Sequence, residues 1–377
     1  MKPLLTVTLG SLVLVACGGS DHEAALEITE TTEAQTMSII LEKVDSIGVE
    51  TGDPMYVFGA ITDVEILSDG NIMVLDGSYA NIRIFSPEGQ HLSTIGSRGE
   101  GPGELSHPQS LFNWHDGTVG VIDPNSGGVQ RFSREGEWIG LDLAISHNIP
   151  ADPIVISDSE FVCFKARFDM EGETVYEVAT IGLFPISLDP RISYWEKTLP
   201  WEPSNMGNLT LELFLTNYWT ADPETGRVFI CPFNEDEYRI QCFNPDGTSI
   251  GTISREHVPV VKTAEDIQEE KDFIVFTLGG NSDNNHGFNY DCDPWPNHLP
   301  VTGLFMGPRG NLWARRGGTE IPTFDIWDED LEMAGTASIP SISGSGANWR
   351  MTFGSDFIVT WNENPDNFQK LYILKIR

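Results

Sequence analysis

The chain has 377 residues, of which 40% are hydrophobic and 21% are charged, so it can bury a sizeable globular core. Its 56 acidic residues outnumber its 22 basic residues, which gives a formal net charge of −34. Such a surface repels both a phosphate backbone and an anionic lipid surface. The charge therefore excludes nucleic acid as a partner, and solubility or a salty habitat is its ordinary explanation.

The first residues have the pattern of a targeting signal. Lys2 precedes an apolar run that is too short to span a bilayer. The sequence LVAC, which ends at Cys17, resembles the lipobox of bacterial lipoproteins. The resemblance implies that residues 1–16 are a signal peptide and that Cys17 carries the lipid. Gly18 rather than Asp follows the cysteine, which by the same resemblance favours the outer membrane of the bacterial envelope.

Residues 17–36 are expected to form a flexible tether. After the cysteine they are polar, acidic and free of aromatic side chains. A random coil of this length reaches roughly 25 Å. We therefore expect the folded body to lie beside the membrane and to contact it through the lipid anchor only.

The remaining cysteines are Cys163, Cys231, Cys242 and Cys292, and the predicted compartment permits disulfides. Cys231 and Cys242 flank an acidic turn between two strand-like runs, so a cross-strand bridge is one alternative. Spacing alone does not show that their Cβ atoms converge, and their disulfide state stays open. The sequence has no C-x-x-C pair, which argues against a cysteine zinc site.

Internal repeats give the clearest prediction of the fold. Residues 64–96 contain four short β-rich runs separated by turn residues, and residues 110–143 repeat them element by element. The segment SDG matches HDG, VLDGS matches VIDPN, and IRIFSPEG matches VQRFSREG. Weaker copies of the same unit follow at residues 154–184, 218–254, 301–338 and 349–377.

The last copy supplies only three strands before the chain stops. Residues near 39–48, which precede the first copy, have the pattern of the missing fourth strand. Pairing this N-terminal strand with the C-terminal blade closes a ring and removes an open sheet edge. We therefore predict an all-β, six-bladed β-propeller over residues 37–377, with insertions at 185–217 and 255–300.

The first two copies resemble the repeats of six-bladed NHL-type propellers, most of all those of bacterial lipoproteins called 6-bladed β-propeller proteins. The likeness is clear over about residues 61–144 and implies a fold rather than an activity. The residues that carry it are Asp76, Asn81, Arg83, Phe85, Gly89, Gly96, Gly99, Gly101, Gly103 and Pro108.

Strand order predicts where a site can lie. The tight turns between strands 1 and 2 and between strands 3 and 4 share one face of the ring. The loops between strands 2 and 3 share the opposite face with the crossings between blades, and the long segments 96–108, 185–217 and 255–300 are expected there. The stretch IGSRGEGPGELSHP (95–108) is interpreted as such a crossing, because no helix follows it as in a phosphate loop.

Candidate ligand-binding residues lie on these long segments. Polar candidates near the mouth of the central channel are Arg98, Glu100, Glu104 and His107. Aromatic candidates are Trp195, Trp201 and Trp295, which would bind a sugar or a protein if exposed and would only pack if buried.

The segment 255–300 contains a capping-box-like pair, Thr263 and Asp266, which predicts a short helix. The polar stretch that follows makes calcium a candidate ligand, through oxygen atoms of Asp283, Asn285, Asp291 and Asp293. Gly287 does not fall where an EF-hand loop needs glycine, and no glutamate ends the run. A solvated loop is the alternative.

The sequence has no G-x-S-x-G, H-E-x-x-H or Walker motif. We therefore expect a membrane-tethered envelope protein that binds a protein or a glycan through its loop-rich face. One alternative is a calcium- or zinc-dependent lyase or hydrolase at the channel mouth, as in some six-bladed relatives. Another is a passive envelope scaffold similar in shape to TolB-like propellers.

Overall fold

The structure is a computed structural model. It describes residues 27–29, 37–144, 150–185, 190–213, 218–232, 234–277, 288–342, 349–363, 365 and 367–376. The predicted signal peptide, Cys17 and most of the predicted tether lie outside these residues. Within the described ranges, no helix is long and apolar enough to cross a membrane.

Strands are numbered in chain order and grouped into blades 1 to 6. Residues before blade 1 form β1 (Glu27–Thr29) and β2 (Met37–Ile47). The strands of blades 1 to 3, four to each, are β3 (Ile61–Ile66), β4 (Ile72–Asp76), β5 (Asn81–Phe85), β6 (His91–Ile95), β7 (Ser110–Asn113), β8 (Val119–Asp123), β9 (Gly128–Phe132), β10 (Trp138–Ala144), β11 (Pro150–Ser157), β12 (Glu160–Glu171), β13 (Thr174–Pro185) and β14 (Ile192–Pro200).

Blades 4 and 5 have four strands each and blade 6 has three strands of its own. These strands are β15 (Tyr218–Ala221), β16 (Val228–Cys231), β17 (Tyr238–Phe243), β18 (Ser249–Arg255), β19 (Val301–Met306), β20 (Leu312–Arg316), β21 (Thr323–Trp327), β22 (Met333–Ser338), β23 (Trp349–Phe353), β24 (Ile358–Asn362) and β25 (Leu371–Ile376). The helices are α1 (Met206–Leu213), α2 (Ala264–Thr277) and the short 3-10 turns Pro54–Tyr56, Pro124–Ser126, Pro203–Asn205 and Pro308–Gly310.

The hydrophobic core is divided among the interfaces between neighbouring blades. Val74 and Phe85 of blade 1, for example, pack with Val359 and Ile373 of blade 6. Other buried clusters join blades 1 and 2, 2 and 3, 3 and 4, 4 and 5, and 5 and 6. These six interfaces form a closed cycle, which confirms the predicted six-bladed β-propeller.

The burial pattern of the strands follows from this packing. The second strands β4 and β8 are buried at every position, because both faces of these strands contact a neighbouring blade. Their sequences, IMVLD and VGVID, are accordingly almost continuous apolar runs. The outer strand β6 alternates between partly buried and exposed residues, as expected for a strand at the rim of the ring.

Strand β2 closes the ring, as predicted. Its second half pairs antiparallel with β25, from Leu41 opposite Ile376 to Ile47 opposite Leu371. Its first half pairs parallel with β22, so β2 joins blades 5 and 6 in one sheet. The sequence did not predict this pairing with blade 5. Strand β1 pairs parallel with β18 at the outer edge of blade 4, and it lies within the segment predicted to be a tether.

The long segment 185–217 differs from the prediction. We expected it to lie entirely on the loop-rich face, but residues 192–200 form β14, the outer strand of blade 3. Strand β14 therefore begins at the tight-turn face. The prediction was wrong because no glycine turn marks the entry to this strand, as one does in blades 1 and 2.

Helix α2 confirms the predicted capping box. The Thr263 backbone N–H donates to Asp266 Oδ2 at 2.7 Å, and the Asp266 N–H donates to Thr263 Oγ1 at 3.2 Å. The two side chains thereby satisfy N–H groups that the first turn of a helix leaves without partners.

The four described cysteines are free and buried. In the register of β16 and β17, Cys242 lies opposite Phe229 rather than opposite Cys231, so the cross-strand bridge does not form. Burial raises the pKa of the Cys231 and Cys242 thiols to about 12, which keeps both protonated and unreactive at neutral pH.

Ring closure can be tested on two side chains of β2. Leu41 is 0% exposed and Val44 is 52% exposed. We expect Leu41→Ala to lower the free energy of unfolding by about 2–5 kcal/mol, because it leaves a cavity between blades 5 and 6. The matched change Val44→Ala should alter it by less than about 0.5 kcal/mol. Urea unfolding of both variants measures the difference, and equal effects would contradict burial of β2 between the blades.

Candidate binding face and central channel

The four polar candidates all lie on the crossing from blade 1 to blade 2, but three of them make hydrogen bonds that hold this crossing in place. Arg98 Nη2 donates to the Ser78 carbonyl at 2.6 Å. Glu104 Oε2 accepts from the Gly101 N–H at 2.7 Å. The His107 N–H donates to Asp123, and its side chain is exposed, as are those of Arg98 and Glu100. A ligand role for this group stays a prediction.

Buried aspartates at the ends of the second strands hold the crossings in place. Asp123 accepts from the backbone N–H groups of Ser106 at 2.6 Å and of His107 at 3.1 Å. Asp76 holds the preceding crossing in the same way, accepting from Gly59 at 2.9 Å and from Ala60 at 3.3 Å. The sequence signal for this role is an aspartate that ends an apolar strand in both VLDGS and VIDPN.

The three predicted tryptophans pack against the protein to different degrees. Trp195 lies on β14 and packs, partly buried, on the core between blades 3 and 4. Trp201 packs on the same core, and its ring centre lies 5.9 Å from Phe168 and 6.4 Å from Phe288. Trp295 packs against a small cluster that includes Ile274.

Two of the predicted calcium ligands, Asp283 and Asn285, lie outside the described residues. Asp291 is exposed and pairs with Lys271, whose Nζ lies 3.1 Å from Asp291 Oδ1. The Asp293 N–H donates to Asn208 Oδ1 at 2.9 Å. Among the described residues, no contact brings the Asp293 carboxylate close to that of Asp291. In the described part of the chain, no three His, Cys, Asp or Glu side chains are grouped to hold a metal ion.

Two carboxylates that the sequence analysis missed project from the innermost strand of blade 1 towards blade 2. Asp63 Oδ2 accepts from Ser110 Oγ at 3.0 Å and from the Leu111 N–H at 2.8 Å. Glu65 Oε2 accepts from Asn113 Nδ2 at 3.4 Å. Both side chains keep some solvent contact in the channel, although protein atoms surround them. These bonds satisfy inner-edge donors that no strand pairs.

Burial raises the pKa of both carboxyl groups towards neutrality. The pKa of Asp63 is raised to about 6, and the negative charge of Asp152 adds to the effect of burial. The pKa of Glu65 is raised to about 8 by burial and then by Asp63. At pH 7 the channel therefore contains an ionised Asp63 beside a protonated Glu65, which can donate a hydrogen bond.

Residues from other inner strands converge on the same axis. Asp152 of β11 has a positive φ of 50° at a register shift of its strand, a conformation that costs energy for a non-glycine residue. Arg350 of β23 pairs with Glu363 through Nε and Oε1, 3.1 Å apart. Glu363 raises the pKa of Arg350, and the negative charge of Asp152, on the opposite blade of the ring, raises it further.

Arg315 supports this arrangement from the second strand of blade 5. It is buried, its Nη1 donates to the Trp349 carbonyl at 2.9 Å, and its Nη2 donates to the Thr302 carbonyl. Burial lowers the pKa of Arg315 to about 10. The channel thus holds groups that can accept and donate protons near neutral pH, a property of many catalytic and ligand-binding sites.

The DUF5128 family model, described as "6-bladed beta-propeller", matches residues 17–137. The matched part is about a third of the chain and includes blade 1 and most of blade 2. The description agrees with the blade count of the structure. No curated protein matches the chain.

Solved structures that resemble the chain are propellers of low sequence identity. A Bacteroides fragilis protein whose name calls it exported is 13% identical, with a TM-score of 0.48 over 90% of this chain and 100% of that one. Virginiamycin B lyase from Staphylococcus aureus is 10% identical, with a TM-score of 0.46 over 89% and 99%. A Xanthomonas campestris gluconolactonase is 12% identical, with a TM-score of 0.43 over 86% and 88%.

The raised pKa of Glu65 predicts a pH-dependent stability. From its ordinary value of 4.5 up to about 8, folded Glu65 holds a proton that the unfolded chain releases. Stability should therefore fall as pH rises through this window. We expect Glu65→Gln to be more stable than the wild type at about pH 8 and to lose less stability between about pH 5 and about pH 8.

Urea unfolding at the two pH values measures this effect. Glu100→Gln, a change on the exposed crossing, serves as the matched control and should keep the wild-type pH dependence. An unchanged pH dependence in Glu65→Gln would contradict a proton held at Glu65.

Proposed function

We propose that this protein is a binding protein of the bacterial cell envelope, tethered by a lipid on Cys17, and that its loop-rich face binds a partner protein. The observation that carries the proposal is the distribution of exposed apolar side chains. Of the 16 large hydrophobic residues that are exposed in the described chain, none lies in a tight turn. Seven lie on crossings or on loops between second and third strands, two lie at the hairpin end of β12, and seven lie on outer strands.

Four of these residues form two patches on the loop-rich face. In the hairpin of β12 and β13, Phe168 is 56% exposed and Met170 is 74% exposed. In the crossing from blade 4 to blade 5, Val258 is 76% exposed and Val261 is 72% exposed. Exposed apolar groups of this kind favour a protein partner, because their burial drives association.

The course of the N-terminal chain supports the orientation that this function requires. Strand β22 starts at the tight-turn face, and β2 runs parallel to it. Strand β2 therefore begins at the tight-turn side, and β1 runs in the same direction along β18. A lipid on Cys17, ten residues before β1, would hold that side within about 35 Å of the membrane. The loop-rich face would then point away from it.

Two observations favour other ligands and activities. The aromatic contacts among Phe168, Trp201 and Phe288 favour a glycan as the alternative partner class. The near-neutral carboxyl groups Asp63 and Glu65 favour a lyase or hydrolase at the channel mouth as the alternative activity. A passive scaffold would need neither feature.

A capture experiment with matched variants tests the partner proposal. We expect the double variants Phe168→Ser/Met170→Ser and Val258→Ser/Val261→Ser to retain less of a cross-linked envelope protein than the wild type does. Quantitative mass spectrometry of the captured material measures the loss, and thermal melting verifies that each variant is folded.

The control for the capture experiment is Leu92→Ser/Ile139→Ser, which removes two apolar side chains from outer strands, each 53% exposed. It should retain the wild-type partner. Retention by the two face variants together with loss in the control would contradict the proposal, as would the absence of any specifically captured protein.

Metal dependence distinguishes the catalytic alternative. We expect EDTA, Ca²⁺ and Zn²⁺ to leave the melting temperature unchanged, because the described residues offer no grouped set of ligands. A metal that binds only the folded state would add about 2.7 kcal/mol at a hundredfold excess over its Kd. A shift abolished by Asp63→Asn would favour a metal-dependent enzyme acting in the channel. A shift abolished by Asp291→Asn would indicate an ion on the crossing to blade 5.

A further inference from the structure

A cavity opens at the rim of blade 1 on the loop-rich face, and none of the predicted site residues lies in it. Its volume is about 380 Å³, within the range of about 300–1,000 Å³ that is usual for small-molecule sites. Residues 52–57 of the crossing from blade 6 form one side. The side chains of Tyr79, Asn81, Arg83 and Thr94 form the other.

The positive charge in the wall is already balanced. Arg83 Nη2 lies 3.4 Å from Asp76 Oδ2, and Arg83 Nη1 donates to the Val57 carbonyl at 2.7 Å. The guanidinium carbon lies 5.0 Å from the ring centre of Phe58 and 5.1 Å from that of Tyr79. None of the lining residues is acidic. A charged ligand would therefore lose its water without meeting a free opposite charge.

The wall combines an apolar surface with an unused polar group. Pro54, Met55 and Val57 supply the apolar part, together with the ring of Tyr79. The side-chain oxygen of Asn81 is buried and has no hydrogen-bond partner among the described residues. Such an atom costs about 1–3 kcal/mol, and a ligand that brings a hydrogen-bond donor would remove the cost once the Asn81 amide turns towards the cavity.

Blade 2 fills the corresponding place with its own side chain. In the register of the repeats, Trp138 corresponds to His91, and Gln130 corresponds to Arg83. Trp138 lies against Gly103, and its Nε1 donates to Gln130 Oε1 at 2.9 Å. In blade 1 the corresponding ring, that of His91, lies edge-on to Phe85 and does not line the cavity. The side chain at this register position therefore leaves the cavity of blade 1 open.

The crossing that covers the cavity is held in one conformation. The Val49 N–H donates to the Tyr56 carbonyl at 2.9 Å, and the Met55 N–H donates to Asp53 Oδ1 at 3.0 Å. The Tyr56 hydroxyl accepts from the His91 N–H at 3.1 Å. A wall fixed in this way loses little conformational entropy when a ligand binds.

We propose that this cavity binds the ring of a neutral sugar, with its carbon face against Tyr79 and Met55 and a hydroxyl group donating towards Asn81. A wholly apolar ring would leave the polar wall without partners, and an acidic or amino sugar would bring an unbalanced charge. The site goes beyond the proposed function, because it needs no partner protein and lies in blade 1 rather than in blades 3 to 5.

Direct binding to the full protein tests this proposal. Titration calorimetry and melting shifts are measured with glucose, galactose, mannose and N-acetylglucosamine, and with glucuronic acid and glucosamine as charged counterparts. We expect at least one neutral sugar to bind, and its charged counterpart to bind at least about tenfold more weakly. Asn81→Leu and the cavity-filling Met55→Trp should each weaken the neutral sugar by at least about tenfold.

The variant Ile139→Trp is the matched control, since it adds the same ring to an exposed site on the outer strand of blade 2. It should bind the sugar as the wild type does. Tyr79→Ala serves as a second test of the wall if Met55→Trp does not fold.

Oligosaccharides that end in the same sugar distinguish the two sources of this ligand. Equal affinity for the free sugar indicates a soluble ligand, and a clear preference for the oligosaccharide indicates the terminal residue of a glycan. Absence of binding by every neutral sugar in both forms would overturn the proposal. Binding that is unaffected by Asn81→Leu, Tyr79→Ala and Met55→Trp would overturn it as well. Neither result would bear on the capture of a partner protein by the patches on blades 3 to 5.

Discussion

The pairing of β2 with β25 is the constraint on which the rest of the structure depends. A blade of this ring buries both of its faces against neighbours, so each interface needs two complete sheets. Without β2, blade 6 would expose the edge of β25 and uncover the side chains that pack around Leu41 and Ile47. The same strand also pairs with β22, so it connects blade 5 to blade 6 in addition to completing blade 6. In the closed ring, the tight turns lie on one face and the crossings between blades lie on the opposite face.

Buried aspartates fix the crossings that form the loop-rich face of this ring. A crossing between blades leaves some of its N–H groups without a partner on a neighbouring strand, and unpaired groups next to the core are costly. Asp76 and Asp123 accept these N–H groups from positions at the ends of β4 and β8. The crossings over blades 1 and 2 are therefore held by the strands below them. This explains why the His107 N–H is engaged in the crossing itself, and why the crossing beside the cavity over Arg83 is anchored at Gly59 and Ala60.

The sequence predicted those features that repeat, and it missed those that depend on contacts between blades. Glycine turns and matching apolar runs marked blades 1 and 2, and a missing strand indicated closure by residues near 39–48. Strand β14 was missed because no such turn precedes it. Asp63 and Glu65 were missed because TDVE has the alternation of a half-exposed strand, whereas in the ring its polar side chains face blade 2. Trp201 could not be placed, since its packing on Phe168 joins residues far apart in the chain.

The loop-rich face thus carries three separate features with different physical character. The apolar patches on the hairpin of blade 3 and on the crossing from blade 4 to blade 5 favour a protein surface, which gains free energy by covering them. The channel gathers charged groups from blades 1, 3 and 6. The cavity of blade 1 has a partly apolar wall, and the charge of its Arg83 is balanced by Asp76. In a closed ring of six, blade 1 lies opposite blade 4, so a sugar in the cavity and a protein on blades 3 to 5 would not compete for the same surface. Binding of one should then leave the affinity for the other unchanged, unless the crossings that both contact move together.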